Sequence, residues 1–219
     1  MKVLSVNVGL PRKVIFNGQT ITTAIFKDPV NVPIMLRKLN LDGDRQADLT
    51  VHGGVDKAVY SYPAEHYGYW RKQFPNMDFE WGLFGENFTT EGLMEDAVNV
   101  GDQFQVGSVK IVASQPRMPC YKLGVRFGTM DIIRRFLISG RPGIYFKVLK
   151  EGEVQTGDRI EITKKDKNNV TVKDIVRLYV YRDDTGNIET MRRATKISVL
   201  PEGWRHEFQQ NIKQLERKL

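Results

Sequence analysis

The apolar residues of this chain change their spacing at one point, and that change constrains the fold more than any other feature of its 219 residues. Up to Thr163, the segments KVLSVNVG, 98–116 and 144–163 alternate apolar with polar positions, as strands with one buried face do. After the polar stretch KKDKNN the apolar positions return at helical spacing. One local pattern also occurs twice. VNVGDQFQV aligns with VQTGDRIEI, so that Gly101-Asp102 matches Gly157-Asp158, Phe104 matches Ile160 and Val106 matches Ile162. A Gly-Asp turn feeding an alternating strand, used twice, suits hairpins of a closed or nearly closed β-barrel better than βαβ units. Asn17-Gly18, between KVIF and TITTAIF, predicts a further hairpin turn.

Helices interrupt the strands and then follow them. One is predicted to open at Pro63 in PAEHYGYWRKQF, and another to follow Thr129 with Met130, Ile133 and Leu137 on one face. In the tail, Thr171 with Asp174 forms a capping box for a helix carrying Val172, Ile175, Val176 and Tyr179. A short helix is expected over 187–196. Trp204, Phe208, Ile212, Leu215 and Leu219 predict a last one from near Pro201. The expected fold is mainly β with helical insertions: a β-barrel domain over residues 1–165, followed by a small C-terminal α-helical domain over 166–219 docked on it.

The chain is long enough to bury a core without disulfides, and 41% hydrophobic with 27% charged residues excludes a disordered or fibrous class. MKVLSVNVGL lacks the apolar core and cleavage site of a signal peptide, and no run of about 18 apolar residues occurs, so a cytoplasmic location without a membrane anchor is expected. One cysteine excludes an internal disulfide and any multi-cysteine zinc or iron–sulfur site within the chain. A net charge of +7 implies attraction to anions: nucleic acid, a phosphorylated cofactor or an acidic partner.

Three segments hold polar residues that ordinary turns do not require: LDGDRQADLTVHGGVDKAVYSYP, FGENFTTEGL and SQPRMPCYKL. In the last, Pro116 and Pro119 stiffen the backbone around Arg117 and mount Cys120 in a short loop. Positive charge from Arg117 and Lys122 favours the thiolate, the form that binds metals. A lone cysteine equally fits a small buried apolar residue, and from the residues alone both readings stand. In the first segment His52-Gly53-Gly54 lets backbone approach a ligand closely, with Arg45 and Lys57 for phosphate and Asp44 or Asp56 for hydrogen bonds; a barrel turn with a surface histidine reads the same residues plainly. Glu86 and Asn87 can reach a polar site from the second segment or simply sit in a solvated turn. The aromatic residues Tyr60, Tyr62, Tyr67, Tyr69 and Trp70 are read as packing, not as a base-stacking platform.

The stretches LDGDRQAD, VHGGVDKAVYSYP, FGENFTTEGL, NVGD and SQPRMPCYKL, in that order over roughly residues 35–165, resemble the MOSC domain family, most closely its YiiM-type bacterial branch, whose barrel is followed by a three-helix tail. The resemblance implies molybdenum-cofactor (molybdopterin) binding with Cys120 as the molybdenum ligand. It implies an oxidoreductase that reduces small N-hydroxylated compounds, such as hydroxylamino base analogues, with electrons from a separate reductase. His52 and Glu86 join Cys120 as candidate catalytic residues. Arg45, Gly53, Gly54, Asp56, Lys57, Asn87, Ser114, Gln115, Arg117, Lys122 and Arg141 are the candidate cofactor-binding residues, and a homodimer is a further expectation.

Two other functions compete. A sulfur carrier would use Cys120 as a persulfide site without a metal. A nucleic-acid-binding module would use the tail, where 13 Lys/Arg against 8 Asp/Glu over 164–219 leave 13 − 8 = +5. Interspersed acidic residues fit a solvated or protein-docking face better than a nucleic-acid surface.

Overall fold

The computed structural model describes residues 1–48 and 53–218. The N-terminal part supplies strands β1 (Lys2–Val8), β2 (Arg12–Phe16), β3 (Gln19–Thr23), β4 (Asp28–Val30) and β5 (Ile34–Leu36). After them come β6 (Val59–Pro63), helix α1 (Glu65–Gln73), β7 (Phe88–Glu91), β8 (Gln103–Val106) and β9 (Val109–Pro116). Helices α2 (Tyr121–Phe127) and α3 (Asp131–Ser139) precede β10 (Ile144–Lys150), β11 (Gly152–Val154) and β12 (Ile160–Lys164). The tail is helical: α4 (Val172–Val180), α5 (Ile188–Ala194) and α6 (Glu202–Glu216).

Eight strands form one sheet in the order β12-β8-β9-β10-β6-β7-β1-β4. Its neighbours are antiparallel except β6 and β7, which run parallel with Ser61 opposite Phe88. The expected barrel is not a closed ladder. Among the described residues the far flanks meet through one Lys2–Arg159 bridge, with Val3 N donating to Asp158 O at 2.9 Å, Gly157 N to Val3 O at 2.8 Å and Ile160 N to Met1 O at 2.9 Å. The outer edge of β1 is divided: its first residues meet the 157–160 segment, while Val6 to Val8 pair with β4. The sheet therefore curls on itself without a continuous seam.

Local signals behave as the residues dictate. Asn17 (φ 50°) and Gly18 (φ 76°) turn β2 into β3, with Phe16 opposite Gln19. The repeated Gly-Asp turn is one device used twice. Gly101 and Gly157 sit at φ 99° and 97°, and the following aspartates accept from the amide three residues back, Asn99 N to Asp102 Oδ2 at 3.0 Å and Gln155 N to Asp158 Oδ2 at 2.9 Å. The two strands so launched, β8 and β12, pair with each other.

Two helix readings need correction. Pro63 closes β6, in register with Thr90, because its fixed φ suits extended backbone, and α1 begins at Glu65. In α3 the buried residues are Ile132 and Phe136, whereas Met130 is 47% exposed. Met130 caps that helix and so lies outside its register. Helix α2, directly after Cys120, ends on a left-handed Gly128 but carries no N-terminal cap and no periodic signal long enough to read.

The tail's helices form no core of their own. Val172, Ile175, Leu178, Met191, Phe208 and Leu215 belong to the same apolar cluster as Phe104 and Phe146 of the sheet. Backbone bonds also cross the boundary, with Val100 N donating to Val170 O at 2.9 Å and Val172 N to Val98 O at 3.0 Å. Leu219 lies outside the described residues. Tail cations are largely engaged within the chain: Arg192 pairs with Glu216 at 2.6 Å, and Arg193 donates to Asn169 O at 3.0 Å. No helix among the described residues is long and apolar enough to cross a membrane.

A second, aromatic cluster packs α1, α2 and α3 against the sheet, with Tyr62, Tyr67, Trp70, Phe84 and Phe136 at its centre. Trp70 Nε1 donates to the Tyr62 hydroxyl at 2.6 Å. These rings are buried, as packing residues should be.

The capping box at α4 gives a direct test of the boundary. Thr171 Oγ1 accepts from Asp174 N at 3.0 Å, and Asp174 Oδ2 accepts from Thr171 N at 3.0 Å. Thr171→Ala is expected to cost about 1 kcal/mol, lowering the melting temperature by about 2–4 °C in a thermal scan. Because α4 shares the sheet's core, the variant should still melt in one transition.

Candidate functional site

The Cys120 loop is built by three constraints acting in sequence. Strand β9 ends at Pro116, Pro119 holds the next turn extended, and Cys120 itself is extended (φ −122°, ψ 168°) before α2 begins at Tyr121. The thiol is half-buried and lines a cavity together with Arg117, Lys122, Lys57, Arg45 and Tyr145.

Four further segments complete the walls. The turn between β3 and β4 brings Ile25 and Lys27, the 42–48 loop brings Asp44, the segment after the undescribed residues brings Gly53, and the turn before β7 brings Gly85 and Asn87. Gly85 sits at φ 77°, and a Cβ there would lie 2.9 Å from Ile25 Cγ1, so the close approach of that turn requires glycine.

Charge in the cavity is unevenly balanced. Asp44 accepts from Lys27, from Gly9 N at 2.8 Å and from Asn87 Nδ2 at 3.0 Å, so one buried carboxylate fixes three segments. Arg117 donates to Phe84 O and lies 5.0 Å over the Tyr60 ring and 5.6 Å over that of Phe136. Burial opposes the Arg117 charge, but interactions with Tyr60, Tyr145 and Cys120 outweigh it, leaving a permanently protonated cation. Lys122 is only 7% exposed and makes no hydrogen bond or ion pair with any described residue. Its stem is buried but its ammonium nitrogen keeps solvent access, so an unpaired cation faces open cavity space where an anion can meet it. Burial pushes the Tyr60 and Tyr145 phenols up, so both remain neutral.

Eight of the residues singled out in the sequence meet here: Asp44, Arg45, Gly53, Lys57, Asn87, Arg117, Cys120 and Lys122. Others hold the walls from behind. Glu86 is fully buried and accepts from Tyr67, from Gly82 N at 2.9 Å, from Phe84 N at 3.0 Å and from Thr89 Oγ1 at 2.9 Å. Burial raises its pKa, with these donors opposing. The Ser114 hydroxyl lies 2.6 Å from Asp56 O and 2.9 Å from Tyr145 O, tying the 55–57 turn to the sheet. Gly54, Asp56 and Gln115 line a neighbouring cleft with Trp204, whose Nε1 donates to Gln115 Oε1 at 2.9 Å, and Asp56 pairs with Lys147 at 2.7 Å.

Arg141 is set apart. It lines a different surface hollow and its guanidinium covers Tyr69 at 4.1 Å. His52 lies outside the described residues. Lys27, Tyr60 and Tyr145 were not anticipated as cavity residues. A lysine directly after the apolar run TAIF is a faint signal for the first, and nothing local marks the tyrosines, which read as ordinary strand residues.

A family model for the MOSC domain matches residues 48–161. The chain is 38% identical over 206 residues to YflK of Bacillus subtilis, covering 94% of this chain and 92% of that one. It is 31% identical over 188 residues to a Gibberella moniliformis protein named reductase, covering 84% of this chain but 33% of that longer one. The crystal structure of YiiM from Geobacillus stearothermophilus superposes with a TM-score of 0.79 at 31% identity, over 96% of this chain and 98% of that one.

Proposed function

Because this chain belongs to the MOSC domain family, we propose that it is an oxidoreductase that reduces N-hydroxylated compounds on a molybdenum cofactor held by Cys120, with electrons from a separate reductase. One observation carries the reading: the chain's single thiol shares a cavity with Arg117 and with a buried Lys122 that no described residue neutralises. That donor set fits a cofactor bearing both a thiolate-seeking metal and a phosphate. When bound, the cofactor supplies a two-electron redox centre and sulfur ligands of its own, so one protein thiolate suffices.

The chain's residues have distinct roles in this reading. Cys120 presents its thiolate from a loop stiffened on both sides. Arg117 and Lys122, with Arg45 and Lys57 nearer the mouth, hold the phosphate. Gly53 and Gly85 allow close approach, and Asn87 fixes the wall through Asp44. The name of the fungal relative accords with a reductive role, and two thirds of that protein lies beyond the match. Elemental analysis and turnover of an N-hydroxylated substrate with a small chemical reductant, on chain made in a molybdopterin-competent host, test the reading. Chain that holds no molybdenum there, yet carries a persulfide, would replace it with sulfur transfer.

The anion site has its own test. Lys122→Met removes a cation that opens to the cavity while keeping its buried stem, so it is expected to leave the melting temperature close to that of the wild type while weakening binding of inorganic phosphate by about tenfold, the loss of one charge-assisted hydrogen bond. Calorimetric titration with phosphate at fixed ionic strength measures both partners. Unchanged phosphate affinity would place the anion elsewhere.

A further inference from the structure

We propose that Lys27 is the proton donor of the Cys120 cavity, delivering a proton to the oxygen that departs when an N–OH group is reduced. The proposal rests on the reductive reading above and assigns a role that Glu86 and Asp56 do not fill: Glu86 is walled off behind Tyr67 and Thr89, and Asp56 faces Lys147.

Lys27 lines the same cavity as Cys120 and is 9% exposed. An ammonium carries three N–H donors. One goes to Asp44, and no described residue accepts another. The remaining N–H groups are thus available to a ligand oxygen in the cavity. Asp44 is itself pinned by Gly9 N and Asn87 Nδ2, so it holds Lys27 in place without moving with it.

Of the cavity's other cations, Arg45, Arg117 and Lys122 are suited to different work. The guanidinium groups of Arg45 and Arg117 do not release protons at accessible pH. The charge of Lys122 is unbalanced and is needed to bind an anion, whereas that of Lys27 is already balanced by Asp44, so its loss and recovery do not unseat the anion. Burial lowers the Lys27 pKa and Arg117 adds to that, against the pull of Asp44 and Glu86, which moves the amine toward the range where proton transfer is effective. The neighbouring Tyr60 and Tyr145 phenols shift the opposite way and are weaker acids than usual.

The reaction balances as R–NHOH + 2e⁻ + 2H⁺ → R–NH2 + H2O. The N–O bond breaks, the nitrogen and the oxygen are each left with an electron pair, and the two electrons come from the separate reductase. Lys27 gives one proton to the departing oxygen, which leaves as water. The second proton reaches nitrogen from solvent, which then reprotonates the Lys27 amine.

The test compares cofactor-loaded wild type with Lys27→Arg and follows the wild-type lysine side chains by 15N NMR across pH. Lys27 Nζ is expected to titrate below the ordinary lysine value of 10.5. Lys27→Arg keeps the charge opposite Asp44, so it should retain molybdenum and the wild-type melting temperature while turnover falls about 100-fold or more and the alkaline limb of the pH profile disappears. Lys27→Met leaves Asp44 buried without its cation and should lose stability as well, so the arginine variant decides the matter. Titration of Lys27 with the surface lysines, or wild-type turnover by Lys27→Arg, would overturn the proposal. Loss of molybdenum by that variant would overturn it too, and would assign Lys27 to holding the cofactor. Wild type without molybdenum or turnover would overturn the underlying reading, and that failure is visible before any variant is made.

Discussion

Cys120→Ser is expected to fold and melt almost as the wild type does, yet to lose molybdenum-dependent turnover entirely. The side chain is half-buried, and replacing sulfur with oxygen keeps its volume, so the stability cost should be about 1 kcal/mol or less. The chemical change is larger. A hard, poorly ionised hydroxyl replaces a soft thiolate at the one position where this chain can offer a thiolate. Cys120→Ala tests the same point with a small cavity added. The three chains are loaded with molybdopterin in parallel, and molybdenum content, turnover of an N-hydroxylated substrate and melting temperature are measured. A stable serine variant with no turnover removes the packing explanation for the cysteine, because packing predicts the reverse: a small loss of stability with activity intact. Full turnover in either variant would exclude Cys120 as an essential ligand.

Glu86→Leu is expected to produce the largest stability loss of any single change at the site, about 4 kcal/mol, because it strands four donors at once. Gly82 N, Phe84 N, the Tyr67 hydroxyl and the Thr89 hydroxyl all converge on this one carboxylate, at a position with no solvent exposure. Glu86→Gln keeps one acceptor oxygen but faces the Phe84 N–H with an amide group or turns away from the other donors, and should cost about 2 kcal/mol. Activity should fall with the fold in both, since Gly85 and Asn87 flank the residue on the cavity wall.

The pH dependence has a definite sign. Burial holds the folded Glu86 pKa above the ordinary 4.5, so the folded chain binds this proton more tightly than the unfolded one. The resulting stability is fully present below 4.5 and is lost as pH rises through the folded value. Urea unfolding across that range should show the loss in wild type and a flatter profile in Glu86→Gln. If Glu86 were instead a catalytic acid, the glutamine variant would keep its stability and lose turnover alone, and that result would return the residue to the chemistry.

Much of the fold was legible because it is local. Asn17-Gly18 needs only its own φ angles to make a hairpin. The Gly-Asp turn is closed by contacts within three residues, and the Thr171–Asp174 box lies within one helical turn. The helices misread by a residue or two failed for equally local reasons: Pro63 is as good an end for a strand as a start for a helix, and Met130 mimics a helical face from the capping position. Closure of the barrel was a different matter, since it depends on how β1 divides its edge between β4 and the 157–160 segment, and no local pattern encodes that division.

The candidate site divides the same way. By itself, the sequence determined that one thiol would be mounted rigidly between prolines and flanked by cations, since those properties lie within SQPRMPCYKL. Only the tertiary structure decided which distant residues face that thiol. Pairing of β6 with both β10 and β7 sets Tyr60 opposite Tyr145 and brings Asn87 within reach of Asp44. It also turned Glu86 away from the cavity into a cage of donors, carried Arg141 to another surface, and brought Lys27 in from a turn with no motif of its own. Side chains alternate faces along a strand, so a register shift of one residue would turn Tyr60 and Tyr145 away from the cavity. Register is set by long-range pairing and shared core packing, which is why the thiol's mount could be read along the chain and its surroundings could not.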